Sequence, residues 1–108
     1  PKGQTNVNGI NIGDIASRLD NIQILSADKQ PIVDKLRKET SDINTKNGYE
    51  ELMRVREDGE KTTIYFKDGK KDQKEFVLLV DEKDEFTIIS IVGDLTLQEI
   101  QGIVNKEE

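Results

Sequence analysis

The chain has 108 residues, of which 35% are charged and 33% hydrophobic, and its net charge is −6. An acidic chain does not favour nucleic acid as a partner, because neutralising phosphates needs a concentrated basic surface. The absence of His and Cys excludes catalytic triads, thiol nucleophiles and metal sites built on imidazole or thiolate. We therefore expect neither an enzyme nor a cofactor.

The N-terminal residues 1–9 are polar, include two glycines and show no periodicity. This pattern predicts a disordered tail, followed by a single domain over 10–108. The chain starts at Pro1 without an initiator Met, as expected of a fragment or of a mature form that has lost a targeting segment. Ile12, Ile15 and Leu19 follow helical spacing and predict a short leading helix, and residues 21–25 predict a first strand.

A longer amphipathic helix is predicted next. Asp28 can accept hydrogen bonds from the N–H groups of its first turn, where Pro31 does little harm because its missing donor would be unpaired anyway. Asn47-Gly48 is expected to end it, since Gly readily adopts a left-handed cap. Its apolar stripe comprises Ile32, Val33, Leu36, Thr40 and Ile43.

From residue 49 the apolar period changes to two, and Asp58-Gly59 separates two strands, 49–58 and 60–68. This dipeptide predicts a type I′ hairpin, which needs positive φ at both central residues. The pairs that a two-residue loop implies are Val55 with Thr62, Met53 with Ile64, and Glu51 with Phe66.

Two further strands, 76–80 and 86–92, flank an acidic turn and are apolar at odd and even positions alike. Helices packed on one side of the sheet would cover only one of the two sets, and the loop 68–73 is too long to fix which one. The apolar side chains on the other face have two possible roles. Either the leading helix and the tail cover them, or they form an interaction patch for a protein partner or for a second copy in a homodimer. The patch that we infer consists of Leu52, Arg54, Tyr65, Val77, Leu79, Ile89 and Ile91.

The last helix has a capping-box signature, Thr96-Leu-Gln-Glu99, with Leu95 and Ile100 placed as a hydrophobic staple. The complete order of elements predicts an α+β fold. Its antiparallel sheet consists of one N-terminal strand plus a four-strand meander, with two amphipathic helices on one face.

Chemical motifs are sparse. Ser90 could pair with Lys67 or Lys74, but a small residue in a packed strand is the interpretation we favour. The turn 81–85, DEKDE, is rich in carboxylates, yet it lacks the spacing of a calcium loop and predicts a solvated turn.

Three stretches, IASRLDNIQIL, YEELMRV and FVLLVDEKDEFTIISIVGDLTLQEI, resemble a domain of unknown function found in lipoproteins of Bacteroidetes. The resemblance runs from about residue 10 to the end. It implies a location in the cell envelope, periplasmic or attached to the outer membrane, with membrane contact only through a lipid anchor outside this chain. It implies no catalytic residue and no cofactor.

Two functions follow as expectations. The first is a non-catalytic domain of the cell envelope that acts through protein-protein contacts. The alternative is a small-ligand or lipid-binding domain that uses a cleft between the sheet and the helices.

Overall fold

The computed structural model describes residues 6–7, 10–69 and 73–104. Two very short strands come first, β1 and β2, and five longer strands and three α-helices follow. The elements in chain order are β1 (Asn6–Val7), β2 (Ile10–Asn11), α1 (Ile12–Ser17), β3 (Leu19–Ala27), α2 (Gln30–Glu39), β4 (Glu50–Glu57), β5 (Glu60–Asp68), β6 (Lys74–Asp81), β7 (Phe86–Gly93) and α3 (Leu97–Val104).

The five long strands form one antiparallel sheet in the order β3-β7-β6-β5-β4. Strands β4 to β7 form a meander. Strand β3 pairs with β7 at one end of this meander, and α2 lies between β3 and β4 in the chain. The predicted α+β class and the strand layout are confirmed. Strands β3 and β4 are the two edges of this sheet.

The β4–β5 hairpin turns at Asp58 and Gly59, whose φ angles are 53° and 81°. Both central residues are thus left-handed, as a type I′ turn requires. Two of the predicted pairs, Val55 with Thr62 and Met53 with Ile64, are confirmed. The third is wrong, since the register shifts between Glu51 and Met53 and places Tyr65, not Phe66, opposite Glu51.

The helices pack on both faces of the sheet, so their predicted placement on one face is wrong. Helix α3 contributes Ile100 to a cluster that we call the α3-side cluster: Ile15, Ile64, Phe76, Leu78, Ile91, Leu95 and Ile100. Helix α2 contributes Val33 and Leu36 to the α2-side cluster, which also contains Phe86 and packs against Ala27, Leu79 and Ile88. Leu78 and Leu79 are neighbours in β6 and point to opposite faces, so the two clusters lie on either side of the sheet.

Helix α2 is shorter than predicted. It starts after Lys29, which makes no side-chain cap, and ends before Thr40 rather than at Asn47-Gly48. The hydroxyls of Thr40 and Ser41 donate to the carbonyls of Arg37 and Lys38, and such local bonds compete with continued helix. Two short 3₁₀-helices follow, Thr40–Asp42 and Thr45–Asn47, and Gly48 caps the second with a φ of 88°.

The N-terminal cap of α3 is confirmed. The Thr96 Oγ1 accepts from the Glu99 N–H at 3.2 Å, and the Glu99 carboxylate accepts from the Thr96 N–H at 3.0 Å. Leu95 and Ile100, the predicted staple, are 1% and 0% exposed. Helix α3 is therefore anchored to the sheet at its start.

The predicted disordered tail lies mostly outside the described residues. Its described part, Asn6–Val7, pairs with Ile10–Asn11 in a small antiparallel ladder.

Candidate interaction surface

Among the described residues of the sheet, the aliphatic side chains with the largest exposed fractions lie on β3. Ile22 is 50% exposed, Ile24 66% and Leu25 54%. Isoleucine side chains favour a strand because they are branched at Cβ, and in soluble domains they are usually buried. Two isoleucines and a leucine within four positions of β3 are thus unusually exposed to water.

The exposure follows from the position of β3 at the edge. Ile22 and Ile24 lie opposite Ile91 and Ile89 of β7, on the α3 side, and Leu25 lies opposite Ile88 on the α2 side. Strand β7 is the neighbour on one flank of β3, and no strand of the described chain lies on the other. Within the described residues, the outer backbone groups of β3 therefore have no strand to pair with.

The opposite edge, β4, has a different character. Its eight residues, EELMRVRE, include five charged side chains, and the register shift between Glu51 and Met53 distorts its pairing. Charges and bulges on an edge strand discourage pairing with further strands. In β3 the only charged residue is Asp20, at its own register shift, so 21–27 is an uncharged stretch.

The interaction patch inferred from the sequence does not form one surface, because the odd positions of β6 do not share a face with the odd positions of β7. Ile91 lies opposite Phe76 on the α3 side, whereas Val77 lies opposite Ser90 on the α2 side. Val77 and Ile91 are also buried, at 2% and 3% exposed. On the α3 side lie Ile89, Ile91 and Leu52, and on the α2 side lie Val77, Leu79, Tyr65 and Arg54.

The α2-side face of the sheet is covered by α2 and by the segment after it. The hydroxyl of Tyr49 lies 3.4 Å from a Glu75 carboxylate oxygen, and the Lys67 Nζ lies 4.9 Å from the Tyr49 ring centroid. Burial and the nearby Glu75 raise the pKa of Tyr49. The Ser90 hydroxyl also faces Glu75, at 3.5 Å, so its partner is a carboxylate rather than a lysine.

A groove of about 210 Å³ separates α2 from the β4–β5 hairpin on this face. Arg37 lines the groove and donates to the Asp81 carboxylate at 2.8 Å and to the Glu82 carbonyl at 2.7 Å. Arg54 is engaged by Glu51 at 2.7 Å, which raises the pKa of its guanidinium. Two of the groove's cations are therefore already paired within the chain.

A second cavity, of about 220 Å³, lies on the α3 side beside the hairpin. Ligand pockets commonly have volumes of about 300–1,000 Å³. The residues that line it are Met53, Val55, Glu57, Glu60, Thr62, Ile64 and Gln101.

The acidic turn between β6 and β7 concentrates negative charge. Partial burial raises the pKa of Glu82, and repulsion from Glu85 and Glu60 adds to this effect. Among the residues that the structure describes, no group of three or more acidic side chains is arranged to hold a metal ion. No helix in the described part of the chain is long and apolar enough to cross a membrane.

The fold and this surface define a small α+β domain with helices on both faces of an antiparallel sheet and one apolar, unprotected edge. Residues 2–103 match the family described as "Domain of unknown function (DUF4252)", and the chain belongs to that family. Neither the curated proteins nor the solved structures contain a match to the chain.

Sequence reasoning missed Ile22, Ile24 and Leu25 as surface residues. The pattern IQIL predicts a strand with apolar side chains on both faces, as β6 and β7 also have. Exposure depends on which strand is at the edge, and strand order cannot be read from that pattern. The one available signal was the lack of charge over 21–27 in a chain that is 35% charged.

Proposed function

We propose that this is a non-catalytic domain of the cell envelope that acts through protein-protein contacts, and that the β3 edge is its contact surface. The observation that carries the proposal is the exposure of Ile22, Ile24 and Leu25 on a strand with a free flank. Edge strands recognise extended partners through main-chain hydrogen bonds, while alternate side chains provide specificity.

The difference between the two edges supports this choice of surface. Soluble proteins protect edge strands with charges, bulges or short length. Strand β4 has charges along its length and a register shift, whereas the one charge and the register shift of β3 are both at Asp20, near its start, and its side chains over 21–27 are uncharged. Leaving one edge unprotected while the other is protected is the arrangement expected when the first edge has a partner.

The envelope location rests on the resemblance to lipoproteins of Bacteroidetes. In this setting the domain would be held near a membrane by a lipid anchor outside this chain, and its partner would be an envelope protein or a second copy. Fractionation of cells that produce the protein tests the location. Recovery with envelope membranes is expected, and recovery with the cytosol contradicts it.

The alternative is a small-ligand or lipid-binding domain, and the α3-side cavity beside Met53 and Val55 favours it. Its volume is below the usual range for ligand pockets, so the contact function takes precedence. Thermal unfolding with a fatty acid series tests the alternative, since a ligand that binds the native state raises Tm. A rise in Tm that Met53→Lys abolishes would support the alternative over the contact function.

Photo-crosslinking in cells tests the contact function directly. A benzophenone amino acid at position 24 is expected to give a discrete protein adduct, because the side chain there is 66% exposed on the proposed surface. The matched control is position 55 on the other edge, where Val55 is 43% exposed. Equal adducts from both positions, or none from position 24, would contradict the proposal.

A further inference from the structure

We infer that the occupant of the β3 edge is a second copy of this chain, paired antiparallel through β3 about a two-fold axis at Gln23. This inference rests on the proposed contact function and specifies its partner. The sheets of the two copies would join into one ten-stranded antiparallel sheet, with β3 of each copy at its centre.

The register follows from the geometry of antiparallel pairing. Residues directly opposite each other point to the same face, so a strand that pairs with itself must be centred on a residue and not between two residues. Centring on Gln23 places Ile22 opposite Ile24 of the second copy, and Ile24 opposite its Ile22. The four isoleucines then form one apolar group on the α3 side.

Neighbouring registers are less favourable. Centring on Ile24 places Asp20 opposite Asp28 of the second copy, and like charges directly opposite each other are destabilising. Centring on Ile22 places Asp20 opposite Ile24. In the register centred on Gln23, Asp20 lies toward the uncharged Ser26 of the second copy. The register centred on Gln23 therefore avoids both the like-charge contact and the contact of a charge with an isoleucine.

The isoleucine group would continue a core that already exists in each copy. Ile22 and Ile24 lie opposite Ile91 and Ile89 of β7. Ile91 belongs to the α3-side cluster, and Ile89 packs against it. Pairing of β3 would therefore join the two α3-side clusters through a continuous row of isoleucines.

The interface is small, being one pair of strands with three aliphatic side chains from each copy. Interfaces below about 1,200 Å² are typical of weak or transient complexes. We expect a reversible dimer whose population changes with concentration. In sedimentation equilibrium across a hundredfold concentration range, the apparent mass should rise from 12.3 kDa toward twice that value.

Matched variants at the two edges locate the contact. Ile24→Lys should keep the mass of one chain at every concentration, because it buries an unpaired charge in the isoleucine group. Val55→Lys, at an exposed aliphatic position on the other edge, should dimerise like the parent chain. A parent chain that stays monomeric, or loss of dimer in Val55→Lys but not in Ile24→Lys, overturns the inference.

Cysteine crosslinking tests the register and does not depend on the folding of the lysine variants. The chain contains no Cys, so single substitutions give unambiguous products. Gln23→Cys should crosslink to itself through a short bismaleimide severalfold faster than Val55→Cys. Equal rates at positions 23 and 55 would contradict the inference.

The experiments distinguish failure of the second-copy inference from failure of the proposed contact function. If the purified chain is monomeric, but position 24 crosslinks to a different protein in cells, the second-copy inference is wrong and the contact function stands. If neither the purified chain nor the cells give a contact at β3, both are wrong.

Discussion

Arg18 links three parts of the chain at the end of the sheet. Its guanidinium donates to the Asp14 carboxylate in α1 at 2.8 Å, to the Asp94 carbonyl at 2.6 Å, and to both oxygens of the Glu99 carboxylate in α3. The hydrogen bond from Arg18 lowers the pKa of Glu99, and the bonds from Thr96 act in the same direction. The capping carboxylate of α3 is therefore also the ion-pair partner of Arg18, the residue that follows α1.

We predict that Glu99→Gln lowers the free energy of unfolding at pH 7 by about 1 kcal/mol, the upper end for a partly exposed ion pair. A carboxyl with a depressed pKa stabilises the folded state above its unfolded pKa, and this stabilisation is lost as the pH falls through the folded pKa. The parent chain should therefore lose stability more steeply than the variant below about pH 4.5. Urea unfolding at pH 7 and at stepwise lower pH measures both effects.

The control for this prediction is Glu39→Gln, which removes an exposed carboxylate near the end of α2. Glu39→Gln should change the free energy of unfolding at pH 7 by much less than Glu99→Gln does. Its loss of stability at low pH should match that of the parent chain. If Glu99→Gln and the parent chain show parallel acid unfolding, the ion pair contributes nothing to the pH dependence.

At Gly59, a substitution should destabilise the fold through backbone strain alone, without a steric clash of the side chain. Its φ is 81°, and a Cβ built there meets nothing within 4 Å, so a side chain would fit but its backbone conformation would not. Gly59→Val should therefore cost on the order of 1–2 kcal/mol. Gly59→Asn should cost less, because Asn tolerates the left-handed region. Chemical denaturation compares the two, and equal stability of Gly59→Val and the parent chain would exclude strain at this turn.

At the scale of elements, the contact between β3 and β7 depends on Gly93. A Cβ at this position would lie 2.5 Å from the Arg18 carbonyl oxygen and 3.1 Å from the Leu19 Cα, both backbone atoms. The register of β3 against β7 shifts just beyond this point, between Leu19 and Asn21. Glycine thus allows the start of β3 to approach the end of β7 closely.

We predict that Gly93→Ala destabilises the fold by about 1–3 kcal/mol, as overpacking against backbone commonly does. The matched control in the same strand is Ser90→Ala, which removes a hydroxyl and adds no volume. The free energy of unfolding of each variant in urea gives the comparison. A loss in Gly93→Ala no larger than that in Ser90→Ala would contradict the close approach.

Turns and caps that have a local sequence signal could be predicted. The face of the sheet on which the side chains of each strand lie could not be predicted. The turn at Asp58-Gly59 and the cap at Thr96 were predictable because each signal lies within four residues and depends only on local backbone conformation and local hydrogen bonds. The end of α2 was missed because Thr40, counted in its apolar stripe, instead bonds back to Arg37. The shared face of β6 and β7 was mispredicted because parity is set by the register between the strands.

At the scale of the whole molecule, the apolar side chains on both faces of β6 and β7 are explained by helices on both faces. Leu78 lies in the α3-side cluster, and Leu79 packs against the α2-side cluster. Both strands lie in the interior of the sheet, so their apolar surface is mostly buried within the domain. The most exposed aliphatic side chains of the sheet lie on β3, so the candidate site lies at the edge of the sheet and not in its middle.

Because neighbouring residues of one strand belong to opposite clusters, we predict that the two clusters unfold together. Ile100→Ala should cost about 2–5 kcal/mol, since Ile100 is fully buried in the α3-side cluster. The chain has no Trp, and its two tyrosines, Tyr49 and Tyr65, lie on the α2 side. Tyrosine fluorescence should therefore report the lower free energy of unfolding of Ile100→Ala, although this substitution lies on the other face of the sheet.

Far-UV circular dichroism monitors the helices and the sheet together, so its transition should coincide with the fluorescence transition in both the parent chain and the variant. Val33→Ala, in the α2-side cluster, is the reciprocal substitution and should shift both signals in the same way. Separate transitions in Ile100→Ala, with the tyrosine signal unchanged, would contradict the prediction and would mean that each face folds independently on the shared sheet.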